Sequence, residues 1–464
     1  MDQMTTEALT DVVTRAAVGI AEQSAMCDRV DSWMRPQLES GFELPRHAGR
    51  EHRALRELAR TPWLGLVVTT AAQALRVSGF VGASEEAATE AWQLWADNRI
   101  LSTQTTAHRG ALSYGFAFGV AVPAIKADGS ASARVRFRSP RRMWADFGDD
   151  IGAPYPLCAV EHIGPADSAT YRVYDAGYIY DVVKEREEVQ LLAVTPHRAG
   201  VCPVTRFENL PDLEGGTVGE VEPLIPTAQR INKTAYDRLL AQHFSSWRVR
   251  TATGVDLPEA EDGTLDSDAT AQLKLKLAQD DLLIAEDAAA RFGTLEATDL
   301  KPFVDAWRSD IEALAAVSQT PAHALTGQLV NLSGDALAAA RSPLTQKVSE
   351  RQSTFGDAHS RLIRAALAQM GSPYAGDSHL RTTWADLEIR SMSQAVDALG
   401  KAAVMLGIPK RALWPRIPGV ERGEIKAWEE LADREAAADP FGAMLRRHGA
   451  EHDVPTEHPD TPAA

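Results

Sequence analysis

Apolar residues recur over residues 333–369 as Leu337, Leu344, Val348, Phe355, Leu362, Ile363, Ala366 and Leu367, in steps of threes, fours and sevens that fit one face of a helix. Ser333 offers a side-chain oxygen at the start of this run, and Asp335 suits the positive end of the helix dipole. At 1.5 Å per residue such a helix extends about 55 Å. Pro343 lies inside it and removes one backbone donor, which predicts a kink. The opposite face carries Arg341, Gln346, Lys347, Glu350, Arg351 and Gln352, so water or a neighbouring subunit is expected to satisfy it. A loop with Pro321, Gly327 and Asn331 leads into the helix.

Residues 1–36 read as helical, and residues 37–50, with Gly41, Pro45 and Gly49, as a loop. Thr61 as N-cap and Pro62 at the first helical position open a helix through Leu64, Val67, Val68, Ala71, Ala74 and Leu75, ending before Gly79. Ser84, followed by Glu85 and Glu86, starts another that ends near Asn98, and residues 102–114 form a third. At Gly115 the period changes from helical to alternating. Residues 116–125 and 131–139 flank an Asp128-Gly129 turn and predict a β-hairpin. Short strands follow at 157–163, 170–175, 177–183, 188–194 and 203–207. Helix returns over 222–247, where Leu224, Ala228, Ile231, Ala235 and Leu239 recur at helical spacing. A small α/β piece at 248–296 precedes a helix at 300–318. After the long helix come a strand at 380–384 and helices at 391–406 and 422–435. The remainder to residue 464, with its Pro, His, Asp and Glu, reads as a disordered tail. The fold class expected is α+β.

At 464 residues, 44% hydrophobic and 24% charged, the chain can bury a sizeable core in about two or three substructures. No apolar run approaches the ~20 residues of a membrane span, and residues 63–75 are interrupted by Thr69, Thr70 and Gln73. The first residues lack a basic end followed by an apolar core, so no signal peptide is expected. Cys27, Cys158 and Cys202 are far apart and read as buried thiols. A formal net charge of −16 argues against broad neutralisation of phosphates, though not against DNA as a polyanion that passes by.

Catalytic signatures are absent. No phosphate-cradling Gly-x-x-x-x-Gly-Lys run and no Gly-x-Ser-x-Gly elbow occur. His47 and His52 do not share a helix face and read as solvated side chains, while His448, His452 and His458 read as part of a polar tail rather than as a metal site. Carboxylates cluster at Asp256, Glu259, Glu261, Asp262, Asp266 and Asp268, and again at Asp280, Asp281, Glu286 and Asp287. Two-metal hydrolysis needs such acids to converge with a base and usually a lysine. Without that company a solvated acidic surface is favoured over a metal-dependent hydrolase or nuclease using residues 256–268. No catalytic residue, cofactor or metal is expected.

Short motifs occur in a telling order: Gly79-Phe80, Trp95 with Asn98-Arg99, His108-Arg109 through Tyr114-Gly115, Ser139-Pro140, and Pro203-Val204 through Phe207 to Asn209. Later come Ile231-Asn232-Lys233-Thr234 with Asp237, Thr320-Pro321 with His323 and Leu325, Asn331 with Ser333-Gly334, and Trp384 with Asp386, Arg390-Ser391 and Gln394-Ala395. With the order of helices and strands over 61–435, these resemble the portal proteins of tailed bacteriophages, in particular siphophage portals of actinobacterial phages.

The resemblance implies a homo-oligomeric ring of about twelve subunits at one capsid vertex. Double-stranded DNA would enter and leave through its channel without sequence specificity. It implies an N-terminal helical arm (1–60), a wing of helices and β-rich domain (61–221), a stem helix (222–247), a small α/β clip (248–296) and a second stem helix (297–318). A tunnel loop (319–332), a long kinked wing helix with a strand (333–390), a short helical crown (391–436) and a tail (437–464) complete the fold. Leu325, Thr326, Gly327, Gln328, Leu329, Val330 and Asn331 would line the channel, with burial against their own subunit as the alternative for the apolar ones. Asp256, Glu259, Glu261, Asp262, Asp266 and Asp268 would mark the clip, where the terminase large subunit and the head-to-tail adaptor dock, and would partly face the bore. Leu224, Ala228, Ile231, Ala235 and Leu239 would pack neighbouring stems. The resemblance further implies major capsid and scaffolding proteins as partners, no membrane, and a virion component that would be assembled in the host cytoplasm. Another minor capsid or scaffold protein is the competing structural reading.

Overall fold

The computed structural model describes residues 3–35, 42–44, 48–150, 152–165, 168–186, 188–245, 250–253, 291–294, 298–327, 334–387, 392–417, 420 and 422–438. The chain divides into two compact units, residues 1–385 and 386–464.

The first unit is built on two antiparallel sheets. Strands β2 (Phe116–Ile125), β3 (Ala131–Arg138) and β9 (Val204–Glu208) form one, in the order β3-β2-β9. Strands β4 (Met143–Asp146), β5 (Cys158–Ile163), β6 (Thr170–Tyr174), β7 (Tyr178–Glu185) and β8 (Glu188–Pro196) form the other, in sequence order. Helix α1 (Thr6–Met34), capped by the Thr5 hydroxyl, lays Leu9, Val12, Val13 and Ala16 on one face of the larger sheet against Val160, Val173, Tyr180 and Val182. Its other face meets the small sheet, where Phe118, Val120 and Val204 pack with Ala159, Tyr174 and Ile179. Because successive strand residues point to opposite faces, burial of all four residues from Cys158 to Glu161 places β5 between two covered sides.

Helix α5 (Ile100–Tyr114) packs on β2, with α3 (Trp63–Ala74) and α4 (Glu85–Asp97) against it, while α2 (Arg50–Ala59) packs on the helix that follows the sheets. Asn98, just after α4, takes the place of a missing strand at the edge of β3: its amide donates to the Ala133 carbonyl (3.0 Å) and its oxygen accepts from the Val135 N–H (2.8 Å). Strand β1 (Val77–Val81) pairs antiparallel with β12 (Arg381–Trp384), closing the unit from its two ends.

Two helices leave the core and return to it. Helix α6 (Ile225–Ser245) follows a short 3-10 turn at Glu222–Leu224, and α7 (Lys301–Val317) packs beside it. Arg230 pairs with Asp310 at 2.7 Å and the Arg238 guanidinium lies over the Trp307 ring, so the helices run antiparallel. Beyond α6, β10 (Arg250–Thr253) pairs antiparallel with β11 (Arg291–Thr294). The chain then turns through the short α8 (Ala322–Thr326) and enters α9 (Gly334–Met370), which is assigned as one helix with Pro343 inside it. Leu344, Val348, Phe355, Leu362, Ile363, Ala366 and Leu367 are all buried, as the periodicity predicts. Helix α9 approaches the small sheet tightly at Gly119, where an added Cβ would lie 2.5 Å from a Leu362 methyl.

The second unit contains α10 (Met392–Met405), α11 (Lys410–Leu413) and α12 (Arg422–Ala438). Trp414 meets the Trp428 ring edge-on at 6.1 Å, and Arg411 pairs with Asp433.

Several local expectations change. Helix α2 follows the expected loop, in a stretch for which no separate element was predicted; its Leu55 and Ala59 pack in a cluster with Ala235 and Tyr236. Helix α3 starts at Trp63 with Pro62 before it, and Thr61 donates its backbone N–H towards Asn232 instead of capping. Strands β1 and β4 are additional. His52, expected to be solvated, is half-buried with Nδ1 2.7 Å from the Tyr236 hydroxyl. His47, the acidic residues at 256–268 and 280–287, and the tail beyond 438 lie outside the described residues.

Candidate functional site

The loop before the long helix is half helical. At the end of α7 the Ser318 and Thr320 amides donate to Leu314 and Ala315 carbonyls, with Gln319 in a left-handed conformation between them. Pro321 then starts α8, and Gly327, also left-handed, closes it by donating to the His323 carbonyl. Leu325 is only 6% exposed, so of the two readings of this residue the structure takes burial against its own chain. Its place in a helical turn packed against α7 gives the physical reason. Thr326 is half-buried, its hydroxyl donating to the Ala322 carbonyl, and Gly327 is exposed. Gln328, Leu329, Val330 and Asn331 lie outside the described residues.

On the polar face of α9, Gln346 and Glu350 are exposed as expected, but two of its cations are covered by this chain itself. Lys347 and Arg351, one helical turn apart, are each only 4% exposed. The Lys347 ammonium lies 2.7 Å from a Glu220 carboxylate oxygen and donates to the Ser318 carbonyl at 3.0 Å. Arg351 donates from Nη2 to the other Glu220 oxygen at 3.1 Å and from Nε to the Asn209 side-chain oxygen, and pairs with Glu350 through Nη1. Asn209 and Glu220 are tied down in turn: the Asn209 amide donates to the Val218 carbonyl, and the Glu220 N–H to the Leu112 carbonyl, both at 2.7 Å. Buried charges persist only when paired and hydrogen-bonded, and each is so here. Glu220 stands just before α6 and Ser318 just after α7. Both roots of the helical excursion are therefore held by one turn of α9. Periodicity marks the apolar side of α9 but carries no sign that Glu220 will come to its other side.

The stripe on α6 is also covered within the chain. Leu224, Ala228, Ile231 and Ala235 are buried, and Leu239 joins Ala235 and Tyr236 in a cluster with Leu55 of α2 and Trp307 of α7. Within the chain, α2, α3 and α7 pack against α6.

Deep in the same unit His108 of α5 and His359 of α9 meet Nε2 to Nε2 at 2.8 Å. Burial lowers the His108 pKa to about 4 and holds His359 well below its ordinary value. Both rings are neutral, and His108 Nδ1–H donates to the Leu75 carbonyl (3.1 Å). His359 must then donate from Nε2, leaving its Nδ1 as an acceptor with no partner among the described residues. Phe207, Phe355, Trp95 and Trp384 surround the pair. Among the described residues no group of three or more His, Cys, Asp or Glu could hold a metal ion. All three cysteines are buried and free, as expected from the sequence.

A two-sheet core, a long helix clamped to an antiparallel helix pair, and a distal strand pair define an α+β scaffold. The family model described as phage portal protein, SPP1 Gp6-like, matches residues 40–438, and the chain belongs to that family. It is 26% identical over 420 residues to the portal protein of Mycobacterium phage D29, covering 86% of this chain and 84% of that protein. The resemblance to portals of actinobacterial phages thus holds over most of the sequence. The family is structural rather than enzymatic, and its members are components of the phage capsid. The hydrolase alternative is set aside on that ground.

Proposed function

We propose that about twelve copies of the chain close into a ring at one capsid vertex, and that double-stranded DNA is packaged and ejected through its bore. The observation that carries this reading is the antiparallel pair α6 and α7, rooted together at Glu220, Lys347 and Ser318 and followed outward by the β10–β11 pair. A wall of such pairs side by side encloses a channel. In this reading residues 222–247 and 297–318 are the stem and 248–296 the clip. Residues 61–221 with 333–390 form the wing, 319–332 the tunnel loop and 391–436 the crown. The clip docks the terminase large subunit during packaging and the head-to-tail adaptor afterwards, and the outer parts meet major capsid and scaffolding proteins during assembly in the host cytoplasm.

A channel through which DNA slides must not clasp phosphates, since every Lys or Arg contact adds salt-dependent affinity and a barrier to movement. Net charge of −16 suits such a surface. Asp256, Glu259, Glu261, Asp262, Asp266 and Asp268 partly face the bore, with Thr326 to Asn331 at the constriction. Electron microscopy of the purified chain tests the reading: closed rings of about a dozen copies support it, and a compact monomer at every concentration and salt overturns it. A strongly basic bore lining in those rings would overturn the low-grip account alone.

A further inference from the structure

Leu213 is 97% exposed, the most exposed of the large apolar side chains in the described residues. It is not on a loose loop. The Asp212 carboxylate accepts the Glu214 and Gly216 amides (2.9 and 2.7 Å), and the Asp212 N–H donates to the Gly216 carbonyl (2.9 Å). Pro211 and Thr217 form a β-bridge below it. The base is fixed by Asn209 and Glu220, the two groups that Arg351 holds. The turn thus presents an apolar knob whose shape is set before any partner arrives, with the exposed carboxylate of Glu214 beside it.

A receptor of matching chemistry lies elsewhere on the same chain. Between the two sheets is a cleft of about 370 Å³ with Val122, Ile125 and Ile179 on its walls and Arg134 and Arg136 at its edge. Ile125 is left 79% exposed there. The nearby Arg172 guanidinium is already engaged by Asp181, through bonds of 2.6 and 2.9 Å. Arg134 and Arg136 have no carboxylate partner among the described residues.

Strand β2 separates knob from cleft. Phe116 at its start pairs with Glu208, just before the turn, while Ile125 at its end pairs with Ala131 beside the cleft. At ~3.3 Å per residue these ends stand about 30 Å apart. Complementary patches at different places on one molecule join copies head to tail, which is the contact a closed ring requires. We propose that the Asp212–Gly216 turn of one copy seats Leu213 in this cleft of the next, with Glu214 meeting Arg134 and Arg136. The proposal rests on the ring reading and names a contact between neighbouring subunits.

The test uses the full chain carrying Leu213→Cys and Ile125→Cys together. The native cysteines are buried, so mild oxidation is expected to give a ladder of disulfide-linked multimers from the double variant and none from either single one. Leu213→Asp and Glu214→Arg should each raise the concentration for half-assembly at least tenfold without changing the unfolding midpoint of the monomer. Adding Arg134→Glu and Arg136→Glu to Glu214→Arg should recover most of that loss. Rings that form at unchanged concentration in every variant, with no ladder, overturn this contact and leave the ring intact. A wild-type chain that never assembles overturns both.

Discussion

Lys347 lies 2.7 Å from the carboxylate of Glu220, and its ammonium also takes the carbonyl of Ser318 at 3.0 Å. One side chain on the long helix thereby holds the residue that precedes the outgoing helix and the residue that follows the returning one. Arg351, one turn further on, repeats the hold on Glu220 and extends it to Asn209 at the end of the small sheet. This junction and the contacts with α2 and α3 tie the antiparallel helices to the rest of the unit.

Replacing Lys347 by Met keeps much of the volume and removes the charge. Glu220 retains Arg351 but loses its shorter contact, and the Ser318 carbonyl loses a donor in a buried place. Breaking a buried pair costs roughly 3 kcal/mol or more, and a drop of about that size in unfolding free energy is expected in denaturant titration. Amides over 318–327 should exchange faster in the same variant. An unchanged unfolding midpoint would show that the junction is not held by charge.

Acid acts on a different buried pair. His108 titrates in the fold at about 4 against an ordinary 6.5, and His359 is likewise depressed. The unfolded chain therefore binds more protons than the folded one below pH 6.5, so stability is complete above that value and lost as pH falls towards 4. The slope from His108 alone is about 1.4 kcal/mol per pH unit, with a further contribution of the same sign from His359. Unfolding midpoints measured from pH 7.5 to 4.5 should fall along this course, and His359→Leu should flatten it. A variant with the wild-type slope would remove the pair as the cause.

Strong local signals in the sequence held. The Asp128-Gly129 turn forms its hairpin, Ser84 caps α4, and the apolar run from Leu344 to Leu367 is buried. What escaped was decided by distant partners. Strand β1 is five residues long and is stabilised by pairing with β12, near the other end of the unit. Helix α2 is mostly charged, and Leu55 and Ala59 gain their burial from Tyr236 and Trp307. Lys347 and Arg351 look like a solvated face because helical spacing identifies one buried side, whereas α9 is covered on a second side by Asn209 and Glu220. The α6 stripe was legible as buried, but not whether its cover comes from the same chain.

Two glycines separate close packing from open space. At Gly219 an added Cβ would lie 2.2 Å from the Ser113 carbonyl oxygen, a backbone atom that cannot swing away. Gly219→Ala should cost about 2 kcal/mol or more, by overpacking and displacement of the 209–220 segment. At Gly400, inside α10, nothing lies within 4 Å of such a Cβ. There the same substitution should stabilise by up to ~1 kcal/mol through helix propensity. Thermal unfolding of both variants checks the contrast, and equal shifts would contradict it.

The loop proposed to line the channel can be probed at two places, of which Leu325 is the one the structure describes as buried. Leu325 is buried, so Leu325→Ala should cost roughly 2–5 kcal/mol of stability and reports on folding rather than on DNA. Replacing residues 327–331 by a shorter Gly-Ser link starts where α8 ends and leaves Leu325 in place. Assembly and unfolding midpoint should stay at wild-type values, while the DNA retained in heads built with this variant should fall severalfold. Retention is read by the fraction of filled heads after gradient centrifugation. Filled heads in wild-type proportion would take the loop out of the channel, and loss of rings would return it to the subunit interior beside Leu325.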